Sequence, residues 1–310
     1  MMKRPKLFGN TLLLLASLIW GLAFVAQRVG MDHIGPYTFT AARSILAAIV
    51  VGLIYALVPK KSESENQKAK KHDTLMGGIL CGVILAIAST LQQIGLVHTS
   101  AGKAGFITAM YMLLVPVFNM ILFRKKSPWL VWIAVIVGIV GMYLMCIKEG
   151  FNLEEGDAYV AACALFYCFH ILCADRYTEN GDPIGISAIQ FATTAVITTI
   201  IAFIVETPSW DQVVSAAIPI LYCGIMSSGV AFTFQILGQK YSEPATASIL
   251  MSMESVFAMI AGMLILGERL STKEAIGCVV MFAAVILVQM PASKRLENLS
   301  SDEDSTCRCM

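Results

Sequence analysis

The sequence predicts an all-α polytopic membrane protein, with ten transmembrane helices arranged as two inverted five-helix repeats. Three observations carry this. Apolar stretches long enough to cross a bilayer as helices, about 20 residues each, fill nearly all of the 310 residues. The composition is 57% hydrophobic and 14% charged, with a mean hydropathy of +0.73, against about 45–50% and about 25% in soluble domains. A water-soluble core this apolar would leave too little polar surface to face solvent. Third, Lys and Arg fall in alternate connections, as an even number of crossings requires. The net charge of +1 says little about partners, and no nucleic-acid partner is expected.

The candidate spans are 8–30, 37–58, 74–97, 102–123, 129–147, 156–175, 184–206, 213–237, 244–266 and 272–290. Turn chemistry or charge separates them, as at Gly35-Pro36, Arg124-Lys-Lys-Ser-Pro128, Asn180-Gly-Asp-Pro183 and Thr207-Pro-Ser209. Pro116 falls inside the fourth span, which neighbouring helices can tolerate. Lys3, Arg4 and Lys6 before an apolar run imitate a signal peptide. The run continues past Trp20 with no small-x-small cleavage site, so an uncleaved first helix is expected. Residues 59–73 and the tail 291–310 are polar and poor in aromatics and are predicted to be mobile.

With the N-terminus inside, sixteen Lys and Arg residues fall in inside segments and four in outside ones, with Arg28 and Arg43 within or at the edge of spans. The positive-inside rule then puts both ends in the cytoplasm. Seven of nine cysteines lie within spans, and Cys163, Cys168 and Cys173 scatter around one helix, which suits packing. Cys307 and Cys309 in the tail are weak candidates for a soft metal. No metal site, cofactor or disulfide framework is expected.

Short collinear matches join the two halves. Thr38–Arg43 parallels Gly185–Gln190, Leu91–Gly95 parallels Phe234–Gly238, and Pro116–Phe118 parallels Ser255–Phe257. Two five-helix units follow, 1–147 and 148–290, with the tail outside both. Five is odd, so the second unit enters from the opposite face, an arrangement common in secondary transporters.

The chain resembles the EamA-type transporters of the drug/metabolite transporter superfamily over nearly its whole length. Trp20-Gly-Leu-Ala-Phe24, Phe39–Arg43, Thr99–Ile107 through Val115–Phe118 and Ala231–Tyr241 carry the likeness. Ser252-Met-Glu-Ser-Val-Phe257 followed by Leu266-Gly-Glu-Arg-Leu270 carries it most strongly. The resemblance implies ten helices in two inverted repeats, cytoplasmic ends, a bacterial inner (plasma) membrane and small-metabolite transport. Two departures stand out. The family often has Glu-Pro where this chain has Glu254-Ser255, and the first repeat ends in Phe123-Arg-Lys-Lys126 in place of Gly-Glu-Arg.

Glu254 is the leading candidate, a carboxylate near the centre of an apolar span, where such groups face a bundle interior or a watery cavity. It can carry a proton, pair with a cationic substrate, or lock helices through Ser252 or Ser255. Arg43 is the second intramembrane charge. It can clamp a substrate carboxylate, pair with Glu254, or reach the outer headgroups. Gln92 and Gln235, with Gln93 and Gln239 beside them, are amides suited to substrate hydrogen bonds or to joining helices. Trp20, Tyr111 and Tyr167, with Phe24, Phe106 and His170, can line an apolar or cation-binding cavity. His170 is expected toward the cytoplasmic end in a solvated setting. Ser248, Ser252, Ser255, Met259 and Gly262 form a stripe for helix packing, as do Gly138 and Gly141. Glu268 and Arg269 are expected at an outer helix end.

The expected function is secondary transport of a small organic metabolite, an amino acid, amine or similar, by alternating access, with proton coupling through Glu254 left open. The partners are that substrate, the lipid bilayer and protons, and the protein is a monomer or a homodimer. No phosphate-binding loop or ATPase-sized domain is seen, so direct ATP driving is not expected. An intramembrane enzyme would need a His-Glu-x-x-His or a buried aspartate pair, and neither occurs in the spans. A channel would need a filter loop and a receptor a sensor domain.

Overall fold

The computed structural model describes residues 3–58, 67–99, 101–146, 154–266 and 271–289, and every regular element among them is helical. They are α1 (Lys3–Gly30), α2 (Pro36–Leu57), α3 (Gln67–Val97), α4 (Ala101–Ala109), α5 (Tyr111–Phe123), α6 (Trp129–Cys146), α7 (Glu155–Thr178) and α8 (Pro183–Val205). There follow α9 (Trp210–Ser215), α10 (Ala217–Leu221), a π-helical segment Tyr222–Ala231, α11 (Phe232–Gln239), α12 (Pro244–Met251), α13 (Glu254–Leu266) and α14 (Thr272–Gln289). Among the described residues, nine helical stretches are long and apolar enough to span a membrane. The expected fifth span is a shorter apolar helix, Trp129–Leu144. The tail, Cys307, Cys309, Glu268 and Arg269 lie outside the described residues.

Local chemistry starts several helices. Pro36, Pro183 and Pro244 occupy the first helical position, where the missing N–H is no loss. The Glu206 carboxylate, just past α8, accepts from the backbone N–H groups of Tyr37 (3.2 Å) and Thr38 (2.8 Å), so the end of α8 caps the start of α2. Asp182 N–H donates to Thr74 Oγ1 at 2.8 Å, tying the start of α8 to α3. Glu154 and Asp157 form a reciprocal capping box at α7. Residues 67–73, expected in a mobile polar run, are instead the first two turns of α3. Asp73 accepts from Asn180 there at 3.1 Å, which gives the segment a partner on the α7–α8 connection.

Close backbone approach sets the packing. A Cβ on Gly95 would lie 2.9 Å from Gly156 O, and one on Gly156 would lie 2.5 Å from Gly95 O, so α3 and α7 meet backbone to backbone. Of the predicted packing glycines, Gly141 behaves alike, since a Cβ there would sit 2.7 Å from Met281 N, which seats α6 against α14; one on Gly138 would instead meet the end of the Met112 side chain at 2.7 Å. Connections gather at two ends of the bundle. Phe8 stacks edge-on with Tyr241, and Lys125 meets Glu179, at the same end as Thr74 and Asp182. Pro36, Glu206, Thr99 and Asp157 mark the other.

Two predicted spans are broken in the middle, which the sequence reading did not anticipate. The fourth divides at Met110 into α4 and α5, and the ninth divides at Ser252-Met253 into α12 and α13. Pro116 lies within α5 and is not the break. The eighth is π-helical over Tyr222–Ala231, between α10 and α11, and these turns widen the backbone beside the centre of the bundle.

Candidate functional site

The broken spans place their interruptions against each other. Tyr111 is the first residue of α5 and Glu254 the first of α13. The Tyr111 hydroxyl donates to Glu254 Oε1 at 3.1 Å. An anion at the first turn of α13 also sits at the positive end of that helix. No proline forces the break beside Glu254. The hydroxyls of Ser248, Ser252 and Ser255 instead take the carbonyls of Ala245, Ile249 and Ser252 at 2.7–2.9 Å, local bonds that compete with a continuous helix. Ser252 and Ser255 are thereby spent on the backbone and do not hold Glu254.

Tyr111 and Glu254 line a central cavity of about 40 Å³, which has room for two or three waters. Its opposite charge is Arg43, 5% exposed, whose Nη1 donates to Gln27 Oε1 at 2.8 Å while the guanidinium lies 5.9 Å from the Phe39 ring centroid. Arg43 therefore stays inside and does not reach for headgroups. Arg43 and Glu254 make no ion pair with each other; each is held by a neutral partner. Gln92 accepts from the Tyr167 hydroxyl and donates to Thr108 Oγ1, both at 3.2 Å. Trp20 Nε1 donates to Ser227 O in the π-helical segment at 3.2 Å, and its ring meets Phe232 edge-on at 4.8 Å. Gln235 presents a buried Oε1 with no partner.

All seven residues singled out from the sequence, Glu254, Arg43, Gln92, Gln235, Trp20, Tyr111 and Tyr167, lie in the wall of this one cavity, and Phe24 joins them. Phe106 packs in the adjoining core, and Gln93 is fully buried away from the cavity with neither amide atom bonded. His170 is not solvated. It is fully buried, with Nε2 3.0 Å from Gln190 Oε1 and its ring edge-on to Phe232. Gln239 lines a different cavity. The sequence reading missed Gln27, Thr108, Ile171, Ser227, Phe232 and Met251. Helical spacing could have found four of them. Gln27 follows Trp20 by seven and Phe24 by three, Thr108 precedes Tyr111 by three, Ile171 follows Tyr167 by four, and Phe232 precedes Gln235 by three.

Among the described residues no three His, Cys, Asp or Glu side chains converge as metal ligands. The arrangement suits binding. Paired polar groups of both signs sit inside an apolar wall, ready to exchange their present partners for a ligand's.

A polytopic helical protein with a polar cavity between broken helices has the build of a membrane carrier. The sequence profile of the EamA-like transporter family matches residues 7–147 and again 155–290, and the chain belongs to that family. An "Uncharacterized transporter" of Archaeoglobus fulgidus is 25% identical, covering 92% of this chain and 87% of the relative. "Uncharacterized transporter YoaV" of Bacillus subtilis is 23% identical over 90% and 96%. "Uncharacterized inner membrane transporter YedA" of Escherichia coli K12 is 23% identical over 88% of each. A solved crystal structure with 18% identity superposes with a TM-score of 0.73 over 93% of this chain and 98% of its own, a likeness of fold.

Proposed function

We propose that this protein is a secondary transporter of a small metabolite carrying both a carboxylate and an ammonium group, working by alternating access. The observation that carries the reading is Arg43 and Glu254 in the same cavity, each bound to a neutral side chain and not to the other. Buried charges are costly unless paired. A zwitterion would supply both counter-charges at once, its carboxylate at Arg43 and its ammonium at Glu254 beside the rings of Trp20 and Tyr111. A proton on Glu254 would neutralise that side of the site when the substrate is absent, which is the basis for coupling.

The double match of the family profile, at 7–147 and 155–290, supports two five-helix repeats, 1–147 and 148–290. Breaks in the corresponding fourth and ninth spans support their equivalence, and an odd helix number makes the second inverted. The Lys/Arg excess supports cytoplasmic termini, and the relative named an inner membrane transporter supports that location. At the end that would face outward, Lys103 Nζ lies 2.6 Å from Asp157 Oδ2, and Thr99 donates to Oδ1 of the same carboxylate at 3.0 Å. The cytoplasmic end holds a wide vestibule instead. The conformation is thus closed outside, with its central site contracted.

Proteoliposomes test the reading, with labelled amino acids, amines and small carboxylates, with and without a proton gradient, in wild type and Glu254→Gln. Gradient-driven accumulation lost in Glu254→Gln while exchange persists would place the acid in coupling. Loss of both, in a folded protein, would place it in binding. Absence of flux for every zwitterion and amine in the panel would sink the substrate class.

A further inference from the structure

Two thiols meet where α3 packs on α7. Cys81 Sγ and Cys173 Sγ lie 3.4 Å apart. Other buried thiols have different neighbours: Cys163 Sγ meets Thr108 Oγ1, Cys223 Sγ faces Ala23 O, and Cys278 Sγ meets Met259 Sδ. The backbones around the pair are close. A Cβ on Gly77 of α3 would lie 2.5 Å from Tyr177 Cβ of α7. Cys81 stands four residues on in α3 and Cys173 four residues back in α7, one turn along the same antiparallel contact. Gly95 and Gly156 hold the two helices together toward their other ends. A disulfide needs sulfurs at about 2.05 Å and Cβ atoms about 3.5–4.5 Å apart. Sulfurs already in contact, on helices this close, bring that geometry within reach of side-chain rotation.

The two thiols differ in access. Cys81 is fully buried, packed with Ala174, Ile186 and Ile236, whereas Cys173 is partly exposed. Cys173 lies five residues before the end of α7, about 7.5 Å along the axis. A small neutral oxidant therefore reaches Cys173 first, and Cys81 stands behind it as the second thiol. Apolar packing accounts for Cys81 taken singly. An accessible thiol in contact with a buried one is, in addition, the arrangement that resolves a sulfenic acid as a disulfide.

Both helices also wall the central cavity. Gln92 comes from α3 and Tyr167 and Ile171 from α7, and the Tyr167 hydroxyl donates to Gln92 at 3.2 Å. At about 40 Å³ the cavity is far below the roughly 300–1,000 Å³ of small-molecule sites, so it must widen to take a metabolite. A covalent tie between α3 and α7 restrains that part of the wall.

We propose that Cys81 and Cys173 are a reversible redox-modification site, joined as a disulfide by a hydroperoxide, which ties α3 to α7 beside the central cavity. The Cys173 thiolate attacks one peroxide oxygen and the O–O bond breaks. The departing oxygen takes up a proton and leaves as water or an alcohol, and Cys173 becomes a sulfenic acid. Cys81 Sγ, giving up its proton, then attacks Cys173 Sγ. The S–O bond breaks and the hydroxyl leaves as water. The two sulfurs together lose two electrons and two protons, and the hydroperoxide gains both. Formation of the bridge stands independently of transport, whereas its restraint of the cavity rests on the transporter reading.

The test treats the full-length protein in nanodiscs with hydrogen peroxide, alkylates the remaining thiols, and maps peptides without reduction. Wild type should yield a Cys81–Cys173 peptide pair two hydrogens lighter than its parts, lost on adding dithiothreitol. This result needs no variant. Cys173 left as a free thiol, oxidised onward to a sulfinic acid, or joined to another cysteine would overturn the site. Cys81→Ala should leave a sulfenic acid at Cys173 that dimedone traps, and Cys173→Ala should leave Cys81 reduced. Dimedone on Cys81 in the second variant would reverse the order of attack. Flux of labelled amino acids and amines should slow at least about fivefold on oxidation and recover with dithiothreitol, which does not repair methionine sulfoxide. Cys81→Ala should not show that reversible loss. A joined pair with undiminished flux would overturn the restraint. A joined pair with no flux in either state would remove the transporter reading alone, and flux without a joined pair would remove the modification site alone.

Discussion

Tyr111 is the residue on which the state of Glu254 turns. An acid at the helix centre costs roughly 2.5–3.5 kcal/mol on insertion scales, and the only side chain that bonds this one among the described residues is the Tyr111 hydroxyl. Tyr111→Phe keeps the ring and its packing but deletes the donor. Losing a hydrogen bond to a charged group costs about 1.5–3 kcal/mol, so counterflow should slow by about tenfold or more with folded yield preserved. A rate within twofold of wild type would show that Glu254 has another partner during the cycle. Arg43 offers a complementary experiment because Gln27 is its neutral holder. Arg43→Gln should raise KM about tenfold or more for substrates bearing a carboxylate and leave simple amines little changed. Equal losses for both classes would remove Arg43 from carboxylate recognition.

At the scale of elements, the helices themselves were legible and their interruptions were not. Apolar length and turn residues locate the spans, because desolvation of the backbone leaves a membrane segment few alternatives to a helix. The breaks at Met110 and Ser252-Met253 depend on tertiary contacts and on serine hydroxyls that bond carbonyls one turn back. Nothing in the hydropathy of either span marks them, and Pro116, the one visible breaker, sits in unbroken helix. The cavity was legible as far as charge, amide and ring chemistry stood out from an apolar background. Gln27 escaped notice as a polar residue near a span's end, and His170 looked solvated for the same reason. Close packing gives this scale its own prediction. Gly156→Ala puts a methyl 2.5 Å from Gly95 O, whereas a Cβ on Gly52 of α2 meets nothing within 4 Å. Overpacking costs about 1–3 kcal/mol, and alanine is favoured over glycine in a helix by about 1 kcal/mol. Gly156→Ala should lower the thermal midpoint in detergent, and Gly52→Ala should hold or raise it. Equal midpoints for the two variants would contradict the α3–α7 contact.

For the whole molecule, alternating access requires that the two ends of the bundle not open together, and the ends here differ. One carries a half-buried strap. The Lys103 and Asp157 side chains are 18% and 6% exposed, and Thr99 and Glu154 add to the same cluster. Among the described residues, the ion pairs at the other end, such as Lys125 with Glu179, are exposed, around an open vestibule. A shielded pair contributes more than exposed ones, which are worth about 0–1 kcal/mol. Breaking the strap should therefore shift the population toward the conformation open on that side. Lys103→Ala leaves Asp157 with Thr99 and its own helix cap but without its cation. Cys163 reports the outcome: it is fully buried in the present state, and its Sγ lies 3.7 Å from Thr108 Oγ1 on the cavity wall. A membrane-impermeant maleimide applied from the Lys103 side should label Cys163 about tenfold faster in Lys103→Ala, the change expected for a shift of about 1.4 kcal/mol in a two-state equilibrium. Labelling from the vestibule side should slow in the same variant, since one population grows at the expense of the other. If both sides label faster together, the strap holds the bundle closed as a clamp and not as one gate of an alternating pair.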